Sequence, residues 1–434
     1  MAFLPTTIKE VRARGWDELD VILFTGDAYI DHPSFGAAVI GRLLEAEGYR
    51  VAIVPQPNWR DDLRDFKKLG TPRLFFAITG GAMDSMVNHY TANLRLRHDD
   101  AYTAGGKAGF RPDRTVTVYS QILKRLFPHT PVVVGGIEAS LRRLTHYDYW
   151  EDKLHPSILC SSGADLLVYG MGDRTIVEVA RAMKNGYNAK LLRKIPQVAF
   201  RAERSYLDKL DPEKTVRLHS FEVCQKSKEA FAENFAIIET LSNLLHPDKT
   251  LVEATGEELV VVTPPHSILT TEELDRSFDL PYERAPHPRY EGRGEIPAWE
   301  MIKHSVNMHR GCFGGCSFCT ISAHQGKFIQ SRSEGSILRE VERITKMADF
   351  RGNLSDIGGP SANMYRMGGR DKSLCEKCRR PSCLHPKRCP NLDNDHRPLL
   401  ALYEKIRSTK GIKHAYIGSG IRYDLFDNSP YLAT

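Results

Sequence analysis

Between residues 20 and 200 the apolar positions fall in short unbroken runs: Asp20–Thr25 (DVILFT), Val51–Val54 (VAIV), Arg73–Thr79 (RLFFAIT), Pro131–Val134 (PVVV) and Asp165–Tyr169 (DLLVY). A strand covered on both faces shows no polar side, so runs of this kind predict parallel strands buried between helices. Between the first two, Phe35–Gly48 spaces Val39, Leu43 and Leu44 at helical intervals and stops at Gly48, a residue suited to the turn that ends a helix. The alternation predicts an α/β fold, a doubly wound parallel-sheet domain. Phe221–Leu245 places Phe231, Phe235, Ile238, Leu241 and Leu245 on one side and predicts one long amphipathic helix packed on that domain. Residues 1–263 are thus expected to form an α/β domain with a helical extension. Residues 264–300 then interleave prolines with Glu, Arg and His, and read as an extended linker.

Past the linker the pattern resumes over residues 301–434. Ser305–Met308 predicts a strand, and Ser333 or Ser336 caps a helix carrying Ile337, Val341, Ile344 and Met347 on one face. Leu354–Ile357 and His414–Ile417 predict two more strands. Several strand ends are glycine-rich, but Gly170-Met-Gly172 lacks the third glycine of a dinucleotide fingerprint. Gly105-Gly-Lys107 lacks the Ser or Thr of a phosphate loop. Tight turns account for these glycines.

The 434 residues carry a net charge of +6, too little by itself to define a partner. Mean hydropathy is −0.37, and no apolar run reaches the roughly 18 residues of a membrane span. The N-terminal stretch has no apolar core followed by a cleavage site, so the expected location is cytoplasmic, with no membrane partner. In such a compartment nine cysteines do not make a disulfide framework; clustered ones are read as metal ligands. Cys160 and Cys224 stand alone in apolar segments and are expected to be inert. The other seven form two groups: Cys312, Cys316 and Cys319, then Cys375, Cys378, Cys383 and Cys389.

The first group lies in His309-Arg-Gly-Cys-Phe-Gly-Gly-Cys-Ser-Phe-Cys-Thr320, with spacing C-x3-C-x2-C. Three thiolates on one short glycine-rich loop can each take an iron of a cubane, leaving one position open for chemistry. This spacing, with the aromatic Phe318 before the last cysteine, resembles the signature loop of radical S-adenosylmethionine (SAM) enzymes. The resemblance implies a [4Fe–4S] cluster on Cys312, Cys316 and Cys319, whose fourth iron binds SAM. Reductive cleavage of SAM then yields a 5′-deoxyadenosyl radical that acts on a substrate. It also implies an adenine near Phe318 and a SAM site lined by Gly358 and Gly359, where many members read Gly-Gly-Glu and this chain has Pro360. A low-potential electron donor such as a flavodoxin or ferredoxin is the implied partner.

The strings TGDAYIDHPSFG, RLRHDDAY, GGIEASLRR and HYDYW resemble the YgiQ family, over essentially the whole chain. An α/β domain before the radical loop is also the order of cobalamin-binding radical SAM proteins. The D-x-H-x-x-G motif that supplies an axial His is absent, since Ile30 and Phe35 stand where its Asp and Gly would be; cobalamin is therefore doubtful. In the second group four thiolates with spacing C-x2-C-x4-C-x5-C could close on either zinc or a second iron–sulfur cluster. The surrounding insert, residues 370–397, holds eight Lys/Arg against four Asp/Glu; a solvated loop or a nucleic-acid contact would both fit that charge. At about 30 residues per βα unit, the chain ends about halfway through the implied barrel. The expectation is an incomplete (βα) radical SAM barrel, its remaining strands missing or supplied by another chain, and a radical SAM enzyme of unknown substrate. The alternative is a non-catalytic metal-binding or redox protein, or a half-barrel inactive alone.

Overall fold

The apolar runs become one sheet. A computed structural model describes residues 3–186 and 189–426 of the chain, in two compact units. The first takes in the described residues up to 237, with 248–266 and 280–299; the second takes in 238–247, 267–279 and the described residues from 300 onward.

In the first unit the strands are β1 (Val21–Thr25), β2 (Val51–Pro55), β3 (Phe75–Thr79), β4 (Val132–Gly135), β5 (Leu166–Val168), β6 (Val198–Glu203), β7 (Thr215–Arg217), β8 (Thr250–Thr255) and β9 (Glu258–Val262). Their order across the sheet is β7-β8-β9-β6-β5-β4-β3-β1-β2. From β2 to β5 the pairing is parallel, with Val21 opposite Val51 and Phe75. From β5 through β6 and β9 to β8 it turns antiparallel. Every residue of β1 and β2 is buried, which is why those runs carry no polar alternation. Helix α1 (Gly36–Ala46) ends where Gly48 takes φ +82°. Helices α2 (Thr115–Leu126) and α3 (Asp173–Lys184) supply further crossovers.

Two expectations need correction. The single helix over 221–245 is two, Phe221–Lys226 and Lys228–Ser242, parted at Ser227, whose hydroxyl accepts from the Ala230 N–H. Its buried positions are Ala230 and Asn234, while Phe235 points to solvent. Asn234 turns inward because its side chain is bound to the His219 backbone at both ends. The extended linker is also structured. Within it α4 (Thr271–Phe278) starts with a reciprocal Thr270–Glu273 capping box and belongs to the second unit. Residues 280–299 return to the first unit, where Ala285–Pro286 pair with Ile30–Asp31. The proline density hid a T-x-x-E capping signal that was present in the sequence.

The second unit holds β10 (Ser305–Asn307), β11 (His309–Arg310), β12 (Gln330–Ser331), α5 (Glu334–Thr345), β13 (Asp356–Gly358), α6 (Arg397–Arg407) and β14 (His414–Ala415). β10 and β13 pair in parallel, Val306 opposite Ile357. β14 pairs in parallel with Asn353–Leu354, and the ladder continues from the Ile357 N–H to the Tyr416 carbonyl. Ser333 caps α5 by accepting from the Ser336 N–H, and Ile337, Val341 and Ile344 bury that helix against Val306, Ile357 and Leu402. Three parallel strands with two intervening helices make the βα units of this second unit. Among the described residues no helix is long and apolar enough to cross a membrane.

Candidate functional site

β11 and β12 form a short antiparallel hairpin, His309 opposite Ser331, and the cysteine loop is the excursion between them. Gly311 opens the loop at φ +86°, and a Cβ there would collide with the Phe328 carbonyl. Only glycine allows that crossing. The Cys312 N–H then donates to the Gly326 carbonyl (3.1 Å), and the Cys319 N–H to the Cys316 carbonyl (3.0 Å). Phe313 is buried beside Met364, Met367 and Leu425, with Cys312 packed against the same cluster. The loop is therefore anchored by an aromatic on one side while its cysteines stay partly exposed.

A guanidinium stands beside the loop. Arg422 donates from Nη1 to Cys316 Sγ at 3.2 Å and is itself held by Asp424. Arg422 Nη1 lies over Gly314, 2.6 Å from where its Cβ would stand. Burial pushes the Cys312 thiol up, and the neighbouring Cys319 and Cys316 push it the same way, while Arg422 and a backbone hydrogen bond pull it down. An iron centre would reverse the net effect by coordinating the thiolate. Phe318 is 87% exposed.

Gly358 and Gly359 end β13, next to β10. A Cβ on Gly359 would come within 2.6 Å of Nδ1 of His309, so the imidazole lies against this glycine. His309 is fully buried, yet neither ring nitrogen has a hydrogen-bond partner. Burial alone holds its pKa down to about 4. A Cβ on Gly358 would press on Asp356 and Ser419; Asp356 accepts from the Gly418 and Ser419 N–H groups at 2.8 and 3.0 Å. That ties the end of β13 to the loop after β14. Two residues were passed over in the sequence. His309 sits three residues before Cys312 and Arg422 in a strand-end loop, and neither position carries a motif.

In the second cysteine group, Cys378 N–H donates to the Cys375 carbonyl (3.2 Å) and Cys389 N–H to the Cys383 carbonyl (2.7 Å). Cys383 is pushed up to about 11 by burial, against the pull of Lys327, with Cys389, Cys378 and Cys375 all near enough to add to the rise. Among the described residues, Asp148, Glu151 and His155 alone bring three ligand-type atoms within 4.8 Å of one another; neither cysteine group does so. The acidic trio is already neutralised by Arg114 and Lys153. Burial pushes up the thiols of Cys160, to about 11, and of Cys224, holding both protonated.

Doubly wound sheets bind ligands where the strand order reverses, here between β1 and β3. In this chain that crevice is filled from within. A Cβ on Gly26 would collide with the Gly80 carbonyl, and the buried Arg111 bridges Asp27 (2.7 Å) and Asp100 (3.0 Å). The opening left beside Thr25, Asp27 and Phe35 is about 10 Å³. His32 is buried, with Nδ1 accepting from the Ser34 N–H at 3.1 Å. These residues do not fit a cobalamin at that edge.

An α/β unit followed by parallel βα units, with a C-x3-C-x2-C loop at the first of them, defines a radical SAM protein. The family described as Radical SAM N-terminal matches residues 3–305. The chain is 59% identical over 434 residues to the UPF0313 protein of Bacteroides thetaiotaomicron, covering 98% of this chain and 69% of that one. It is 60% identical over 423 residues to the UPF0313 protein of Porphyromonas gingivalis, covering 98% and 66%. The chain thus belongs to the Radical SAM N-terminal family and to the UPF0313 proteins. It spans about two thirds of the length of these relatives. Among solved structures it is similar to the radical SAM methyltransferase TsrM of Kitasatospora setae. With cobalamin and a [4Fe–4S] cluster bound, that structure gives a TM-score of 0.41 at 15% identity, covering 75% of this chain and 46% of that one. With tryptophan and aza-SAM bound, it gives a TM-score of 0.38 at 16% identity, covering 75% and 45%.

Proposed function

We propose that Cys312, Cys316 and Cys319 ligate a [4Fe–4S] cluster and that SAM binds between this loop and Gly358–Gly359. Bound there, the cluster and SAM supply reductive cleavage to methionine and a 5′-deoxyadenosyl radical, which takes hydrogen from a substrate. The observation that carries the reading is the placement of His309, a buried polar ring with unpartnered nitrogens against the glycine pair, three residues before the first cysteine. Buried polar groups without partners are rare in native interiors. A neutral imidazole offers one donor and one acceptor, the complement of an ammonium and a carboxylate on one α-carbon. Pro360 has no side-chain polar group to serve that head, and His309 takes the role.

The chain's other residues have separate tasks. Gly311, Gly314 and Gly315 keep the loop backbone free of side chains so that three thiolates can face one centre. Arg422 places a positive charge beside Cys316, donating to its sulfur at 3.2 Å. Phe318, with its ring open to solvent, is available to stack on adenine. The electron comes from a low-potential donor such as a flavodoxin or ferredoxin. Anaerobic reconstitution with iron and sulfide, then dithionite and SAM, is expected to release 5′-deoxyadenosine and methionine in equal amounts, and Cys316→Ala neither. A wild-type chain with no cluster, or one as inert as Cys316→Ala, rejects the proposal.

A further inference from the structure

We propose that Cys375, Cys378, Cys383 and Cys389 form a second, four-thiolate metal centre, for zinc or an iron–sulfur cluster, that holds the Cys312–Cys319 loop in place. The metal site stands on its own observations; only the value of holding that loop rests on the function proposed above.

The segment is closed at its base and empty of core. Gly368–Gly369 pair with Leu392–Asp393, and Asn391 clasps Asp371, its amide donating to the Asp371 carbonyl (2.8 Å) while its side-chain oxygen accepts from the Asp371 N–H (2.9 Å). Between these ends Leu374 is exposed, and Leu384 is partly buried against the Phe313 cluster together with Cys383 and Cys389. Such a stretch cannot fold on hydrophobic burial, and a closing metal is the physical substitute. The backbone folds each pair back on itself: the Cys378 N–H closes a turn on the Cys375 carbonyl, and the Cys389 N–H closes a longer loop on the Cys383 carbonyl. Gly369 makes room for Cys375 Sγ, since a Cβ there would collide with it, and Asn391 Nδ2 donates to that sulfur at 3.5 Å. Four thiolates around a dication, or around a cluster, leave a net negative charge. Lys327, only 2% exposed, donates to the Arg380 carbonyl at 2.6 Å and lies within electrostatic reach of Cys375 and Cys383. A buried ammonium is costly without an opposing charge, and the thiolates would provide it.

The same segment grips the radical loop. The Ser382 hydroxyl reaches the carbonyls of Gly314 (2.8 Å) and Phe313 (3.3 Å), and the Cys383 N–H donates to the Phe313 carbonyl (3.1 Å). Gly315 lacks a side chain because its Cβ would stand 2.7 Å from that of Ser382. Ser382 and Cys383 thus connect the metal ligands directly to the backbone between Cys312 and Cys316.

The test counts metal in the full chain purified anaerobically. In Cys312→Ala/Cys316→Ala/Cys319→Ala the first site is gone, and the chain is expected to keep either about one zinc without sulfide or about one cluster of iron with sulfide. Zinc or iron distinguishes the two sources, and each supports the site. In Cys378→Ala/Cys389→Ala that increment is expected to vanish, and hydrogen exchange across residues 311–319 to quicken by roughly tenfold as the loop loses its hold. A folded triple variant without metal overturns the site, and so does a double variant whose metal content equals wild type. Loss of metal with unchanged exchange across 311–319 overturns the coupling.

Discussion

His309 is the residue on which the proposed SAM site turns, and its two roles, ligand contact or core residue, have opposite signatures. If its nitrogens serve SAM, His309→Phe removes hydrogen bonds to charged groups worth about 1.5–3 kcal/mol, or roughly ten- to a hundredfold in affinity. The same change relieves two buried unpartnered atoms, so the melting temperature should hold or rise. Calorimetric titration with SAM and a thermal melt read both quantities. Unchanged affinity with a lower melting temperature would make the ring a core residue only. Because burial keeps the ring neutral above about pH 4, it should impose no pH dependence on SAM binding between pH 6 and 8. Gly311→Ala tests the loop itself. An L side chain at φ +86° costs about 1–2 kcal/mol, and here its Cβ also meets the Phe328 carbonyl. Iron per chain should fall well below wild type after reconstitution; a full complement would show that the loop tolerates another path.

At the scale of elements, β8 carries a charge problem that can be measured. Glu253 is buried and held by the Thr145 N–H and hydroxyl at 2.9 and 2.8 Å, and burial raises its pKa to about 7. An acid whose folded pKa lies above its unfolded value destabilises the fold as pH rises. Below about pH 4.5 both states hold the proton and nothing is lost; above pH 7 the full penalty applies. Glu253→Gln keeps the acceptor for Thr145 and should stabilise the chain by about 2–3 kcal/mol at pH 8, with no gain at pH 4. Thermal melts at the two pH values check the sign, and equal gains at both would contradict it. The neighbouring elements also show what a sequence can and cannot disclose. β1 to β5 were legible because strands buried on both faces are apolar throughout. The helix over 221–245 was misjudged because periodicity does not say which face has something to pack on, and Asn234 won that face through hydrogen bonds. Over 264–300, proline spacing outweighed the capping box at Thr270–Glu273, although a local cap is the stronger evidence.

At the scale of the whole molecule, the loop of Cys312, Cys316 and Cys319, proposed to ligate the cluster, was legible from spacing alone, because a loop motif is local. His309 and Arg422 were not, since each acquires its role from a strand or loop distant in sequence: Gly359 lies 50 residues from His309 and Cys316 lies 106 from Arg422. The crevice between β1 and β3 was likewise not legible, since Arg111 fills it by donating to the Gly80 carbonyl and pairing with Asp27, both distant in sequence. What unites the second unit is a single claim, that the loop of Cys312, Cys316 and Cys319 holds a cluster with an iron open to SAM. Electron paramagnetic resonance of the dithionite-reduced chain, recorded before and after adding SAM, tests it most directly. The expected result is a reduced [4Fe–4S] signal whose g values shift on SAM addition and which is missing from this site in Cys316→Ala. A reducible cluster whose spectrum ignores SAM, or persists unchanged in Cys316→Ala, would contradict the account.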